Sequence, residues 1–208
     1  MRQSTRTIPY IVGRIAVMLA VCLVAIAILS TISAYPQIHQ RSLDTRLWRA
    51  AMRNDASEVE DLIHQGANIN GKDEDGNPLL DVVLSLHYVA TARALLHNKV
   101  DVHAINSRIG ISHALMSACR IGDEDIVAEL IEQGVDVNAQ TREGYTALMS
   151  AANSKQSKIV SYLLTHGADR SLRDVYGYTA LTRAQKIFDQ TPYPNRKAEY
   201  AVIIKLLQ

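Results

Sequence analysis

Apolar side chains recur between residues 146 and 166 in two short sets, each with the three- and four-residue spacing of an amphipathic helix. The first set is Ala147, Leu148, Ala151 and Ala152, and the second is Ile159, Val160, Leu163 and Leu164. Thr146 stands where a hydroxyl would cap the first helix, and Gly167 stands where a residue without Cβ would end the second. This pattern predicts a small-residue inner helix followed by an antiparallel outer helix.

The same pattern repeats along the chain with a period of 33 residues. Gly144-Tyr145-Thr146-Ala147-Leu148 recurs as Gly177-Tyr178-Thr179-Ala180-Leu181, so Thr179 is predicted to cap a helix as Thr146 does. The end of the unit, at residues 163–169, recurs at 130–136, again at 62–70, and in degenerate form at 95–103. One such unit cannot enclose its own apolar face, so stacking of neighbouring units must supply the core.

Both ends of the unit resemble the ankyrin-repeat family, which begins Gly-x-Thr-Pro/Ala-Leu-x-x-Ala-Ala and ends Leu-Leu-x-x-Gly-Ala-Asp-x-Asn. The resemblance implies an all-α solenoid of stacked helix-turn-helix units with turn fingers. We predict an ankyrin-repeat domain at 40–208 with units at about 40–72, 73–105, 108–140, 141–173 and 174–208. Extra residues near 106–109 and around 190–196 are expected in loops. Pro192 and Pro194 favour a loop around 190–196, because proline disrupts the interior of a helix.

A different pattern precedes the repeats. Residues 15–34 contain ten Ile, Leu or Val residues and no charged side chain. A helix of that length spans about 30 Å, the thickness of a bilayer core. The sequence therefore predicts a hydrophobic helix over 15–35, either a transmembrane helix or a signal-peptide core, after a basic segment at 1–14 and before a short linker at 36–39. Small residues at 31–34 are of the kind that a signal peptidase accepts. Cleavage of a signal peptide there, which would give a secreted or periplasmic protein, is therefore the alternative.

Charge is divided unevenly along a chain of 208 residues with a formal net charge of +1. Three arginines lie in the first 14 residues, and no Asp or Glu precedes Asp44. This favours a single-pass protein with its N-terminus inside and its repeats extracytoplasmic, or periplasmic in a bacterium. Arginines at 41, 46, 49 and 53 leave the reverse, cytoplasm-facing topology open. The remaining chain is slightly acidic, which argues against a nucleic-acid partner.

Residues suited to catalysis or metal binding are sparse. The seven histidines form no His-x-x-x-His pair, and neither a Cys-x-x-Cys motif nor a phosphate-binding Gly-rich loop occurs. Asp73-Glu74-Asp75-Gly76 fits a turn better than a calcium loop, since no Glu lies at the twelfth place. His113 is predicted to be hydrogen-bonded and structural, and Cys119 to be a packing residue. We expect no enzyme activity, metal, cofactor or small-molecule substrate.

The resemblance implies instead a protein partner, bound in the concave groove between turn tips and inner helices. The family's variable positions fall on Arg120, Ile121, Arg142, Glu143, Tyr145, Asn153, Ser154, Val175, Tyr176, Tyr178, Lys186 and Ile187. Tyr145, Tyr176 and Tyr178 are the strongest candidates, because tyrosine is enriched at binding hot spots. The alternative is that these rings shield the turns and stabilise neighbouring fingers.

The predicted function is a membrane-anchored adaptor for protein–protein interaction. Within this class the chain would be an immunity or inhibitory protein, or an accessory to an envelope enzyme. The alternatives are a structural scaffold of a membrane complex and, with reversed topology, a cytoplasm-facing adaptor.

Overall fold

The computed structural model describes residues 40–104 and 113–208. In these ranges the regular structure is helical, apart from an isolated antiparallel bridge between Lys72 and Pro78. The helices are α1 (40–52), α2 (Ala56–His64), α3 (Leu79–Ser85), α4 (Val89–His97), α5 (Ala114–Ile121), α6 (Glu124–Glu132), α7 (Ala147–Asn153), α8 (Ser157–Thr165), α9 (Ala180–Gln190) and α10 (Pro194–Leu207).

The helices pack as consecutive pairs that stack in two layers. Helices α3 and α4, α5 and α6, α7 and α8, and α9 and α10 form the pairs. The inner layer runs from α3 through α5 and α7 to α9, while α8 contacts both α6 and α10 in the outer layer. The all-helical class is thus confirmed, and the arrangement is consistent with an ankyrin-repeat solenoid.

The composition of each helix explains its layer. Helix α7 is sandwiched between α5 and α9 and buries all of its residues except Asn153. Its alanines allow this, because small side chains let neighbouring helices approach closely. Helix α8 buries only one face, formed by Ile159, Val160 and Leu163. Its other face is left to solvent, as expected of an amphipathic outer helix.

The predicted helix caps are confirmed. Thr146 Oγ1 accepts the Met149 N–H at 3.2 Å. Thr179 caps α9 through a reciprocal pair of bonds with Thr182. Gly167 follows α8 with φ +87°, the left-handed conformation that a residue without Cβ adopts at least cost. The turn predicted at 73–76 is also present, closed by a 3.0 Å bond from Gly76 N to Asp73 O.

The loop predicted around 190–196 is wrong. Helix α9 continues to Gln190 and α10 begins at Pro194, so only residues 191–193 connect them. Pro194 occupies the first turn of α10, where its missing N–H would have no helical acceptor in any case. The extra residues of the last unit therefore lengthen its two helices.

Several predictions fall on residues outside the described ranges, namely the segments 1–14, 15–35 and 36–39 and the insertion near 106–109. No helix within 40–104 or 113–208 combines the length and the apolar character needed to span a bilayer.

Candidate functional site

Two tight turns precede the last two inner helices, and we name them the fourth finger (141–145) and the fifth finger (174–178). The fourth is closed by bonds from Thr141 N to Tyr145 O at 2.9 Å and from Gly144 N to Thr141 O at 2.8 Å. The fifth repeats both bonds, from Asp174 N to Tyr178 O at 3.0 Å and from Gly177 N to Asp174 O at 2.8 Å. The period of 33 residues thus appears as a repeated turn geometry.

The two fingers are joined edge to edge. Val175 N donates to Glu143 O at 2.9 Å. The Gln140 amide spans both, donating to Gly144 O at 2.9 Å and to Arg173 O at 3.2 Å. These bonds fix the fingers relative to each other, so their tips present one continuous surface.

A carboxylate buried beneath the fifth finger organises it. The Asp174 residue is 6% exposed and accepts the N–H groups of Tyr176 at 2.9 Å and Tyr178 at 3.0 Å. It also forms an ion pair with Arg183 of α9. Desolvation by burial would raise the pKa of this carboxyl, but the hydrogen bonds from Tyr178, Arg183 and Tyr176 outweigh it and lower the pKa below the usual value.

Arg183 in turn contacts the rings of two tyrosines. Its guanidinium carbon lies 5.0 Å from the ring centroid of Tyr145 and 5.7 Å from that of Tyr178. Lys186 Nζ lies 4.8 Å from the Tyr178 centroid and donates to its hydroxyl at 3.2 Å. We call Tyr145, Asp174, Tyr178, Arg183 and Lys186 the tyrosine cluster. Cation–π contacts and the ion pair hold its side chains in place.

Tyr145 packs against the hydrophobic core. Its half-buried side chain donates its hydroxyl proton to Met149 O at 3.3 Å and accepts from Asn153 Nδ2 at 2.6 Å. Burial raises the pKa of its phenol, partly offset by Arg183 and by the Asn153 bond. The backbone carbonyl of Asn153 accepts the Tyr200 hydroxyl at 2.8 Å, which links the site to α10. These contacts favour a supporting role for Tyr145.

The finger tips are the exposed part of the site. Val175 is 64% and Tyr176 75% exposed, and no large apolar side chain in the described ranges is more exposed than Tyr176. Arg142 and Glu143 lie at the equivalent tip of the fourth finger and are exposed as well. The tips therefore combine uncovered apolar surface with charged groups.

Two of the other predicted residues lie around this centre, and two lie apart from it. Ser154 is the C-cap of α7, and Ile187 is half-buried against the core. Arg120 is separate, at the end of α5, where its guanidinium lies 2.7 Å from His87 Nε2 and donates to Ser85 O at 3.2 Å. Ile121, beside it, packs against the core. The structure thus joins the candidates of the last two units and leaves those of the third unit apart.

Asp174 and Arg183, which hold the site together, were not among the predicted residues. A signal for them does exist in the repeat register. Arg183 stands 33 residues after Ser150, which is buried and bonded to Met116 O at 2.7 Å. A cation at a position that buries a small side chain in the preceding unit requires an anion close by.

The described residues show no group of three or more His, Cys, Asp or Glu side chains arranged to bind a metal ion. Cys119 is fully buried, which confirms the packing role, and burial raises the pKa of its thiol. The backbone N–H of His113 donates to Asp81 Oδ2 at 3.0 Å, and its carbonyl accepts the Ser117 N–H at 2.9 Å. Its ring forms no capping bond.

Comparison with known proteins identifies the repeat. The family model for ankyrin repeats, in three copies, matches residues 114–187. Two curated relatives, the ankyrin repeat and SOCS box protein 6 of Pongo abelii and of Homo sapiens, are each 32% identical over 108 residues. That match covers 49% of this chain and 26% of each relative, so the chain spans about a quarter of their length. The repeated motif, the stacked helical pairs and the family match together show that this chain contains ankyrin repeats over residues 114–187.

Proposed function

We propose that this chain is a non-catalytic adaptor that binds a protein partner through the fourth and fifth fingers and the adjoining inner helices α7 and α9. Ankyrin repeats support a role in protein–protein interaction. The observation that carries the proposal is the exposure of Val175 and Tyr176 in the finger whose backbone Asp174 of the tyrosine cluster holds. Uncovered apolar surface rimmed by charged groups is typical of an interaction site.

The tyrosine cluster supports this proposal because it orders the binding surface in advance. The Asp174 carboxylate holds the backbone of the fifth finger through the N–H groups of Tyr176 and Tyr178. Lys186 and Arg183 hold the Tyr178 ring. A partner that docks here would order few additional side chains, and this reduces the entropic cost of association.

The predicted tyrosines take different roles in this proposal. Tyr145, bonded to Asn153 and Met149, supports the fourth finger from below. Tyr178 is half-buried and forms the floor of the binding surface, while the exposed Tyr176 and Val175 contact the partner. Tyrosine is well suited to this contact, because it buries a large apolar area and retains a polar end.

Replacing Tyr176 by Ala together with Val175 by Ser is expected to reduce partner capture at least about tenfold, the loss typical of truncated hot spots. The measurement is the yield of a stoichiometric partner that co-purifies with the tagged full chain from solubilised membranes. Both side chains are exposed, so helical circular dichroism and the melting temperature should stay close to those of the wild type.

The matched control is Tyr193→Ala, since Tyr193 is 61% exposed but lies in the connection between α9 and α10. Capture should survive this substitution. Equal capture by both variants would contradict binding at the finger tips. Absence of any stoichiometric partner would favour the scaffold alternative, in which the surface is unused.

We further propose that the apolar segment at 15–35 tethers the repeats to a membrane, with the repeat domain on the extracytoplasmic side. The uncharged sequence of residues 15–34 and the arginines before it support this. An immunity or inhibitory protein and an accessory to an envelope enzyme are the two forms of adaptor that fit such a location.

In a bacterial host, protease added to spheroplasts is expected to digest the repeat domain without lysis. Mass measurement of the mature chain should give the full sequence, with the apolar segment retained. Protection of the repeats until lysis would establish the reverse topology. A mature chain that lacks the N-terminal residues would replace the anchor with a cleaved signal peptide.

A further inference from the structure

We propose that the partner segment held at the fifth finger is acidic, with an Asp or Glu side chain next to a large apolar residue. This inference rests on the proposed function and names the chemistry of the partner. It follows from the charges around the finger tips, the geometry of Lys186, and the apolar surface of Val175 and Tyr176.

The cations around the two fingers outnumber the exposed acids. Arg142 is exposed and forms no ion pair with any residue that the structure describes, and Arg173 donates to Gly177 O at 2.7 Å. Lys186 donates to the Tyr178 hydroxyl and forms no ion pair with any carboxylate in 40–104 or 113–208. Of the two acids in the fingers, Asp174 is buried and paired with Arg183, which leaves Glu143 as the exposed one. The surface therefore offers positive charge that the described part of the chain does not neutralise.

Lys186 is held in a geometry that suits a carboxylate ligand. Its ammonium group lies over the Tyr178 ring, 4.8 Å from the centroid, and donates one hydrogen bond to the hydroxyl at 3.2 Å. An ammonium group has three donors, so two remain for an incoming acceptor. Asp189, one turn along α9, accepts from Gln185 at 3.3 Å. Because the lysine is already positioned, a charge-assisted bond to a partner would order it little further.

The apolar part of the ligand follows from the fifth finger itself. Val175 and Tyr176 are adjacent and extend from its tip, 64% and 75% exposed. Covering them requires an apolar side chain on the partner, while the neighbouring cations require an acid close by. The two requirements together define an acidic residue beside an aromatic or aliphatic one.

A displayed library of random peptides, selected on the detergent-solubilised full chain, tests this directly. Enriched peptides are expected to carry Asp or Glu beside an aromatic or aliphatic residue. The affinity of a synthetic peptide of that sequence should fall at least about tenfold for Lys186→Glu and for Arg142→Glu, since charge complementarity is replaced by repulsion. Lys205→Glu, an equal change of charge on the exposed side of α10, should leave the affinity unchanged.

Selection on the doubly reversed Arg142→Glu/Lys186→Glu chain should enrich Lys or Arg in place of the acid. Enrichment of peptides that lack a carboxylate, and whose binding is lost in the Tyr176→Ala variant, would overturn the inference of an acidic partner. It would leave the proposed binding surface intact. Peptides indifferent to every finger substitution would overturn the proposed function itself. Absence of any enrichment over the doubly reversed chain would likewise overturn the inference.

Discussion

Replacing Asp174 by Ala is expected to lower the free energy of unfolding by about 2–4 kcal/mol, the range for a buried carboxylate with several partners. The substitution leaves the N–H groups of Tyr176 and Tyr178 without their acceptor. It also leaves the partly buried Arg183 guanidinium without its anion, against the rings of two tyrosines. Urea unfolding of the full chain, followed by circular dichroism, measures the loss.

Asp169→Ala is the matched control. Asp169 also accepts a backbone N–H two residues ahead, from Ser171 at 2.7 Å, but it is exposed and forms no ion pair within the described ranges. Its removal should change the unfolding midpoint far less. In a double-mutant cycle, Arg183→Leu should recover part of the loss in the Asp174→Ala background, because the unpaired cation is removed with it. Equal losses from the two aspartate substitutions would contradict the organising role of Asp174.

The difference in stability between the wild type and Asp174→Ala depends on pH, and the direction of this dependence follows from the pKa of Asp174. The folded state lowers the pKa of Asp174, so its ionised form stabilises the fold at pH values above the ordinary aspartate pKa of about 3.9. That contribution is lost as the pH falls below this value toward the lower pKa of the folded state. The stability difference between wild type and Asp174→Ala should therefore be full at neutral pH and shrink on acidification.

The repeat could be predicted because each unit contains its own short-range signals for where helices begin and end. Thr146 and Thr179 each cap the helix that follows, and Gly167 ends the one that precedes it. These signals act within a few residues and recur with one period, so each copy supports the next. The end of the array departs from this pattern. There the presence of Pro194 predicts a loop, whereas its place in the first turn of α10 is compatible with a helix.

The candidate site could be predicted only in part, because its contacts join different elements. The repeat register places Tyr145 and Tyr178 at equivalent positions, which predicts equal roles. Their environments differ because Arg183 of the following unit covers Tyr145, whereas Arg183 and Lys186 of its own unit contact Tyr178. The ion pair between Asp174 and Arg183 joins a finger to a helix nine residues away, and no helical or strand spacing indicates such a pair.

Gly144→Ala is expected to destabilise the chain more than Gly177→Ala, although the two glycines occupy the same position in consecutive units. Both have positive φ, +75° and +80°, so either alanine has the cost of a left-handed backbone, about 1–2 kcal/mol. A Cβ on Gly144 would lie 2.8 Å from Arg173 O and 2.9 Å from Asp174 Cα, whereas one on Gly177 would have no neighbour within 4 Å. Because the atoms that the Cβ would meet belong to the backbone, the two fingers must separate. The expected total loss in the free energy of unfolding for Gly144→Ala is about 2–5 kcal/mol.

Urea unfolding of the two variants, measured side by side, gives the difference between their free energies of unfolding. The cost of the left-handed backbone is common to both variants and cancels in this difference. A lower unfolding midpoint for Gly144→Ala measures how tightly the fourth finger is packed against the fifth. The same separation would weaken the bond from Val175 N to Glu143 O and shift the buried Asp174 carboxylate. Gly144→Ala should therefore also reduce partner capture, although the alanine itself adds no bulk at the exposed tips. Equal midpoints would mean that the fifth finger can move aside freely, and a surface that mobile could not be ordered before its partner binds.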